Sequence, residues 1–149
     1  AFLPDQCPFI EEHIKKSQIS SSGSSSITYI LDAIDTVSAK IALAAYADEH
    51  SIPLISSMGT GNKLHPELFR ISDLKDTSVC PLCRVMRKEL KTRGIQSLKV
   101  CWSPEKPLTP APAEEDTGSR RSTPGSISFV PPAAGLMIAG EIVRNICGL

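Results

Sequence analysis

The stretch that most restricts how this chain can fold runs from Ile27 to Gly59. Ile27 to Ile34 and Ile52 to Ile55 are short and rich in β-branched and aliphatic residues, the pattern of buried strands. Between them Val37, Ile41, Ala44, Ala45 and Tyr46 recur at helical spacing. A strand, a helix over Val37 to His50 and a second strand normally join as parallel neighbours with a right-handed crossover. In open sheets of that kind, ligands lie beyond the carboxyl ends of the strands. Asp32, Asp35 and Thr36 follow the first strand, and Gly59 and Gly61 follow the second. The site argument therefore starts at that edge.

The rest of the chain extends an α/β architecture. Gly59 to Lys63 reads as a turn in which glycines permit close backbone approach. Phe69 to Leu74 alternates as a strand does, and Leu98 to Ser103 reads as another. Pro81 to Arg93 predicts an amphipathic helix with Leu82, Val85, Met86 and Leu90 as its apolar stripe and Gly94 as its stop. Ser126 to Val130 reads as a last strand and Ala133 to Ile146 as a final helix. Upstream, Pro8 to Lys16 suits a short helix or a connection. Ser17 to Ser26, with seven serines and a glycine, suits a flexible polar segment. Residues 104–125 are rich in Pro, Glu, Arg, Ser and Thr, as expected of an exposed, mobile loop.

The 149 residues fit one domain. A formal net charge of zero means that any basic surface has to be local. Five cysteines, an odd number, with no signal peptide ahead of them suggest free thiols in a cytoplasmic, reducing compartment. The uncharged run Ser126 to Gly140 is shorter than the roughly 20 residues of a membrane span, and a buried helix is the better reading. The chain opens on Ala1 as though inside a domain, and no Gly-rich phosphate loop appears. We therefore expect a piece of a larger protein, or a shortened form.

Several residues are candidates for chemistry. Asp35 and Thr36 are either a cap for the following helix or oxygen ligands of Mg²⁺ beside a nucleotide, where a carboxylate needs a cation between itself and phosphate. Asp32, inside an apolar strand, has to be hydrogen-bonded, sit at the sheet's exposed end or serve a site. Lys40, one turn beyond Thr36, faces phosphate or water, and a solvated face is the simpler expectation. His13, His50 and His65 read as surface or turn residues. Cys80 and Cys83 form one Cys-x-x-Cys pair. Structural zinc commonly takes two such pairs, so no zinc is expected, and the alternatives are inert thiols or a redox pair. Arg84, Arg87, Lys88, Lys91 and Arg93 concentrate positive charge on one helix, with Lys99, Lys106, Arg120 and Arg121 as further cations. That helix is either a solvated face or a surface for RNA phosphates.

Four blocks carry a resemblance. Asp32-Ala33-Ile34-Asp35-Thr36-Val37-Ser38-Ala39-Lys40 and Ile52-Pro53-Leu54-Ile55-Ser56-Ser57-Met58-Gly59 resemble the second half of the ThiF/MoeB/E1-like adenylating domain. Thr77-Ser78-Val79-Cys80-Pro81-Leu82 with Met86-Arg87, and Thr123 to Pro131, are similar to its bacterial tRNA threonylcarbamoyladenosine dehydratase branch. The resemblance covers roughly residues 27–149, whereas 1–26 match poorly. It implies an incomplete Rossmann-like fold lacking the nucleotide-loop half. It also implies ATP and Mg²⁺ as cofactors, with Asp35 as the catalytic acid at the ATP and metal, and Thr36, Asp32 and Lys40 beside it. The implied reaction activates a carboxylate on a tRNA base as an acyl-adenylate and then closes a ring with net loss of water, an intramolecular step with an entropic advantage.

The implied partners are tRNA, a sulfur-relay or electron-transfer protein and a second copy of the chain. Two other functions stay open at this point: adenylation of a ubiquitin-like sulfur carrier, and a truncated, non-catalytic module that binds tRNA or a partner. The 149 residues alone are expected to be inactive, because the phosphate-holding loop lies upstream of them.

Overall fold

The structure, a computed structural model, describes residues 28–109 and 125–149. Four strands, β1 (Ile30–Asp32), β2 (Leu54–Ser57), β3 (Arg70–Asp73) and β4 (Lys99–Trp102), form one sheet in the order β1-β2-β4-β3. The first three in that order run parallel, and β3 closes the edge antiparallel to β4. Helix α1 (Val37–Glu49) joins β1 to β2 as the strand–helix–strand pattern requires.

Side-chain alternation along the strands divides the core in two. Val100 and Trp102 of β4 face a cluster with Ile41 and Ala44 of α1 and with Met86 and Leu90 of α2 (Pro81–Thr92). Ile55 and Cys101 point to the opposite face, where Val130, Ala134 and Ile138 of α3 (Val130–Cys147) cover them. Two helices therefore close one face and a single helix the other.

The local boundaries differ from expectation for identifiable reasons. β1 is confined to Ile30–Asp32 because the Asp32 carboxylate accepts the Ile34 amide at 2.9 Å and turns the chain. β2 lies two residues later than the hydrophobic run suggested: Leu54–Ser57 includes two serines. Leu74 leaves β3 for a 3-10 turn, Leu74–Asp76. Ser126 to Val130 is not a strand. Ser128 and Phe129 form a turn, and α3 begins at Val130 with Pro131 and Pro132 in its first turn, where missing amides cost nothing. On α2, Val85 is exposed and Cys83 takes the inward position. Gly94, at φ 78°, ends α2 as read, with Ile95 N–H donating to Leu90 O at 3.1 Å and Gly94 N–H to Lys91 O. Among the described residues no helix is long and apolar enough to cross a membrane. The segments Pro8–Lys16 and Ser17–Ser26, and positions 110–124 of the 104–125 loop, lie outside the described residues.

Candidate functional site

The register aligns Asp32 of β1 with Ser56 of β2. Asp35 and Gly59 each stand three residues beyond that pair, so both belong to the carboxyl rim of neighbouring parallel strands. The two acids of this rim have opposite environments. Asp32 is 1% exposed, and its Oδ2 accepts from Lys40 Nζ at 2.9 Å and from Ser56 Oγ at 2.5 Å. Asp35 is exposed, and its Oδ1 accepts from the Thr36 hydroxyl at 3.3 Å.

Lys40 corrects the expectation of a solvated face. It is 1% exposed, because the first turns of α1 lie directly over β2. Its ammonium donates to Asp32, to Ser56 Oγ at 3.2 Å and to Ser57 O at 2.7 Å, satisfying all three protons. The network ties the ends of β1 and β2 together, and no buried side-chain polar atom of the described residues lacks a partner. Lys40 has no proton left for a phosphate in this arrangement.

Thr36 occupies the N-cap position of α1 with extended backbone (φ −85°, ψ 118°), but its side chain makes no capping bond. Neither Asp35 nor Thr36 thus serves as the side-chain cap that the sequence allowed. The first-turn amides of α1 are left for an outside acceptor; that turn holds no acid, and the carboxylate next to it in sequence is Asp35, just before the cap.

The basic helix separates into used and unused charges. Arg87, half-buried, donates to Leu74 O at 3.2 Å and Thr77 O at 2.8 Å and to the Thr77 hydroxyl, holding the 3-10 turn against α2. Arg93 pairs with Glu89 at 3.0 Å. Lys99 donates to Glu141 at 2.6 Å and to Asn145 at 3.1 Å, tying β4 to α3, and the Lys99 bond, then the Asn145 amide donating to Glu141 at 3.0 Å, hold the Glu141 carboxyl down at about 2. Arg84, Lys88 and Lys91 are exposed and have no ion pair among the described residues. Their i, i+4, i+7 spacing puts them in one stripe, about 10 Å long at the helical rise. Lys106 is exposed, and Arg120 and Arg121 lie outside the described residues.

His65 sits at a turn and pairs with Glu67 at 2.8 Å, and His50 is exposed with its ring stacked on Tyr46. His13 lies outside the described residues. Cys80, Cys83 and Cys101 are buried and Cys147 is exposed. Sequence reasoning missed Ser56 as a partner of Asp32. The signal was the two serines that interrupt an otherwise apolar strand.

No protein-family model matches the chain. It is 34% identical over 129 residues to the tRNA threonylcarbamoyladenosine dehydratase of Bacillus subtilis, a match covering 80% of this chain and 51% of that protein. It is 41% identical over 100 residues to tRNA threonylcarbamoyladenosine dehydratase 2 of Saccharomyces cerevisiae, covering 62% of this chain and 22% of that one. By fold it is similar to the Escherichia coli tRNA N6-threonylcarbamoyladenosine dehydratase solved with AMP, at a TM-score of 0.70 and 22% identity over 99% of this chain and 55% of that one. In sequence and fold the chain is thus similar to part of the tRNA threonylcarbamoyladenosine dehydratases. It spans about half the length of the Bacillus relative, and less of the yeast one.

Proposed function

We propose that this chain forms the acid-bearing part of the site of an ATP-dependent tRNA threonylcarbamoyladenosine dehydratase, working as part of a longer protein. One observation carries the reading: Asp35 is an exposed carboxylate beyond the end of β1, at the uncapped N-terminus of α1. The fold is similar to that of an enzyme solved with AMP and with ATP. Asp35 and the Thr36 hydroxyl suit one or two positions of a Mg²⁺ shell. Among the described residues no group of three His, Cys, Asp or Glu side chains is placed to hold a metal unaided, so the ion would share its ligation with phosphate oxygens.

Bound Mg–ATP supplies AMP as a good leaving group for the carboxylate of the threonylcarbamoyl adenosine. This chain's own contribution is positional and electrostatic. Asp35 would orient the cation and the free amides of α1 would meet the negative charge of the nucleotide, while the Asp32–Lys40–Ser56 network fixes the rim from below. Asp32 and Lys40 support the nucleotide site indirectly in this reading, through the strand ends they join. The stripe of Arg84, Lys88 and Lys91 is proposed to meet tRNA phosphates, with Arg87 and Arg93 kept for internal bonds. The outer face of α3, where Leu136, Val143 and Ile146 are exposed, is the apolar surface available to the second copy of a homodimer. A cytoplasmic setting follows from the proposed substrate.

The test uses a longer form of the protein that includes the nucleotide loop. Mass spectrometry of tRNA nucleosides should register an ATP-dependent loss of one water from threonylcarbamoyladenosine. Absence of that product with a folded, ATP-binding protein contradicts the reading. The 149 residues alone are predicted to give no ATP turnover, and measurable turnover would overturn the positional role assigned here.

A further inference from the structure

Among the described residues, two neighbouring nucleophilic side chains are left unused by the reaction above. Cys80 occupies the N-cap of α2 and Cys83 its first turn, with Pro81 between them at the first helical position. Both residues are buried members of the cluster that includes Met58, Leu74 and Met86, with Cys80 4% and Cys83 0% exposed. The two side chains are hydrogen-bonded to each other, and the amides of Leu82, Cys83 and Gly59 also donate to the Cys80 sulfur. Thr77 and Arg87 lie against Cys83.

We propose that Cys80 and Cys83 form a reversible dithiol, oxidised to an intrachain disulfide by low-molecular-weight disulfides, with Cys80 attacking and Cys83 resolving. The Cys80 thiolate attacks one sulfur of the small disulfide and expels a thiolate, which takes a proton from water. Cys83 then gives its proton to solvent and attacks the Cys80 sulfur, expelling the second small thiolate. The sum is one protein dithiol and one small disulfide converted to one protein disulfide and two small thiols, a two-electron oxidation.

Three features support this division of roles. Cys83 donating to it, and then the three amides, outweigh burial and lower the Cys80 thiol well below its ordinary range, which favours the thiolate. The same hydrogen bond, with burial, pushes the Cys83 thiol up, as suits a resolving group. Access comes from the preceding turn. Cys80 is 4% exposed, but Ser78, Val79 and Pro81 around it are all exposed. Val79 holds φ 61°, unfavourable for a β-branched residue, in a three-residue turn closed by the Cys80 amide donating to Ser78 O at 2.5 Å. A strained surface turn with so little packing opens locally far below the cost of global unfolding.

The intact chain carries its own readout, because trypsin releases Asp76 to Arg84 as a fragment with both cysteines and no others. The folded chain is exposed to oxidised glutathione, alkylated and digested. The proposal predicts that most of the fragment is two hydrogen atoms lighter and unalkylated, and that excess reduced glutathione reverses this. In Cys83→Ser the reaction should stall with glutathione on Cys80. In Cys80→Ser modification at position 83 should be at least about tenfold slower. A wild-type fragment that stays doubly alkylated overturns the proposal, as does Cys83 reacting at the wild-type rate in Cys80→Ser. The wild-type result decides the matter even where a variant fails to fold, which Trp102 fluorescence reports.

Discussion

Asp32 and Asp35 stand three residues apart on one rim, yet the fold uses them in opposite ways. Asp32 is enclosed, with both oxygens occupied by Lys40, Ser56 and the Ile34 amide. Asp35 projects into solvent with a single weak neighbour. The same division recurs on α2, where Arg87 is consumed by backbone carbonyls while Arg84, Lys88 and Lys91 stay open. A charge spent on the interior stabilises the scaffold, and a charge left open is available to a ligand. Sequence type alone does not separate the two.

The largest effect should follow from breaking the enclosed pair. Lys40→Met leaves Asp32 buried without its counter-ion and is expected to cost about 3–5 kcal/mol in urea unfolding. Replacing Asp32 and Lys40 together by apolar residues should cost clearly less than the sum of the single changes. A double-mutant cycle that proves additive would remove the pair from the scaffold.

Next in size is Arg87→Gln. It strands the Thr77 carbonyl, while Leu74 O keeps the Thr77 hydroxyl and amide, and should cost about 1–3 kcal/mol by the same measurement. A neutral outcome would return Arg87 to the open set.

The Lys99–Glu141 tie gives a smaller, pH-dependent term. Hydrogen bonds from Lys99 and then Asn145 hold the Glu141 carboxyl at about 2 in the folded state, against 4.5 for an unperturbed glutamate. Its contribution is therefore complete above about pH 4.5 and is lost as pH falls towards 2. Glu141→Gln should flatten the acid side of the stability profile, and an unchanged profile would place the acid sensitivity elsewhere.

The smallest stability effect belongs to the open stripe. Changing Arg84, Lys88 and Lys91 together to Gln should leave unfolding within about 0.5 kcal/mol. In the longer protein it should also reduce the salt dependence of tRNA binding, by about 2 in the slope of log K on log salt. An unchanged slope would take the stripe out of the RNA surface.

Much of this fold was legible in the sequence. Hydrophobic period and helix punctuation located β1, α1, β2 and α2, and the crossover rule fixed the parallel pairing of β1 and β2. What escaped were features set by the third dimension. Lys40 reads as a surface cation because nothing local announces that β2 will bring Ser56 and Ser57 beneath it. Val130 begins a helix because Pro131 and Pro132 are acceptable in a first turn, whereas a short β-branched run suggested a strand. Val85 and Cys83 exchanged places because the apolar stripe of α2 is centred on Met86 and Leu90, and a neighbour on either side satisfies the pattern. At the site, the rim and its acids were readable from topology. Which acid stays open was not, since that depends on the partners the fold supplies.

The most direct test of the division between the two acids is calorimetry of Mg²⁺-dependent ATP binding in the longer protein, comparing wild type with Asp35→Asn at equal thermal stability. Asp35→Asn is predicted to unfold at the wild-type temperature while losing most of the enhancement that Mg²⁺ gives to ATP affinity. An Asp35→Asn protein that keeps its full Mg²⁺ dependence would contradict the account, and the open carboxylate of the rim would then have no place in nucleotide binding.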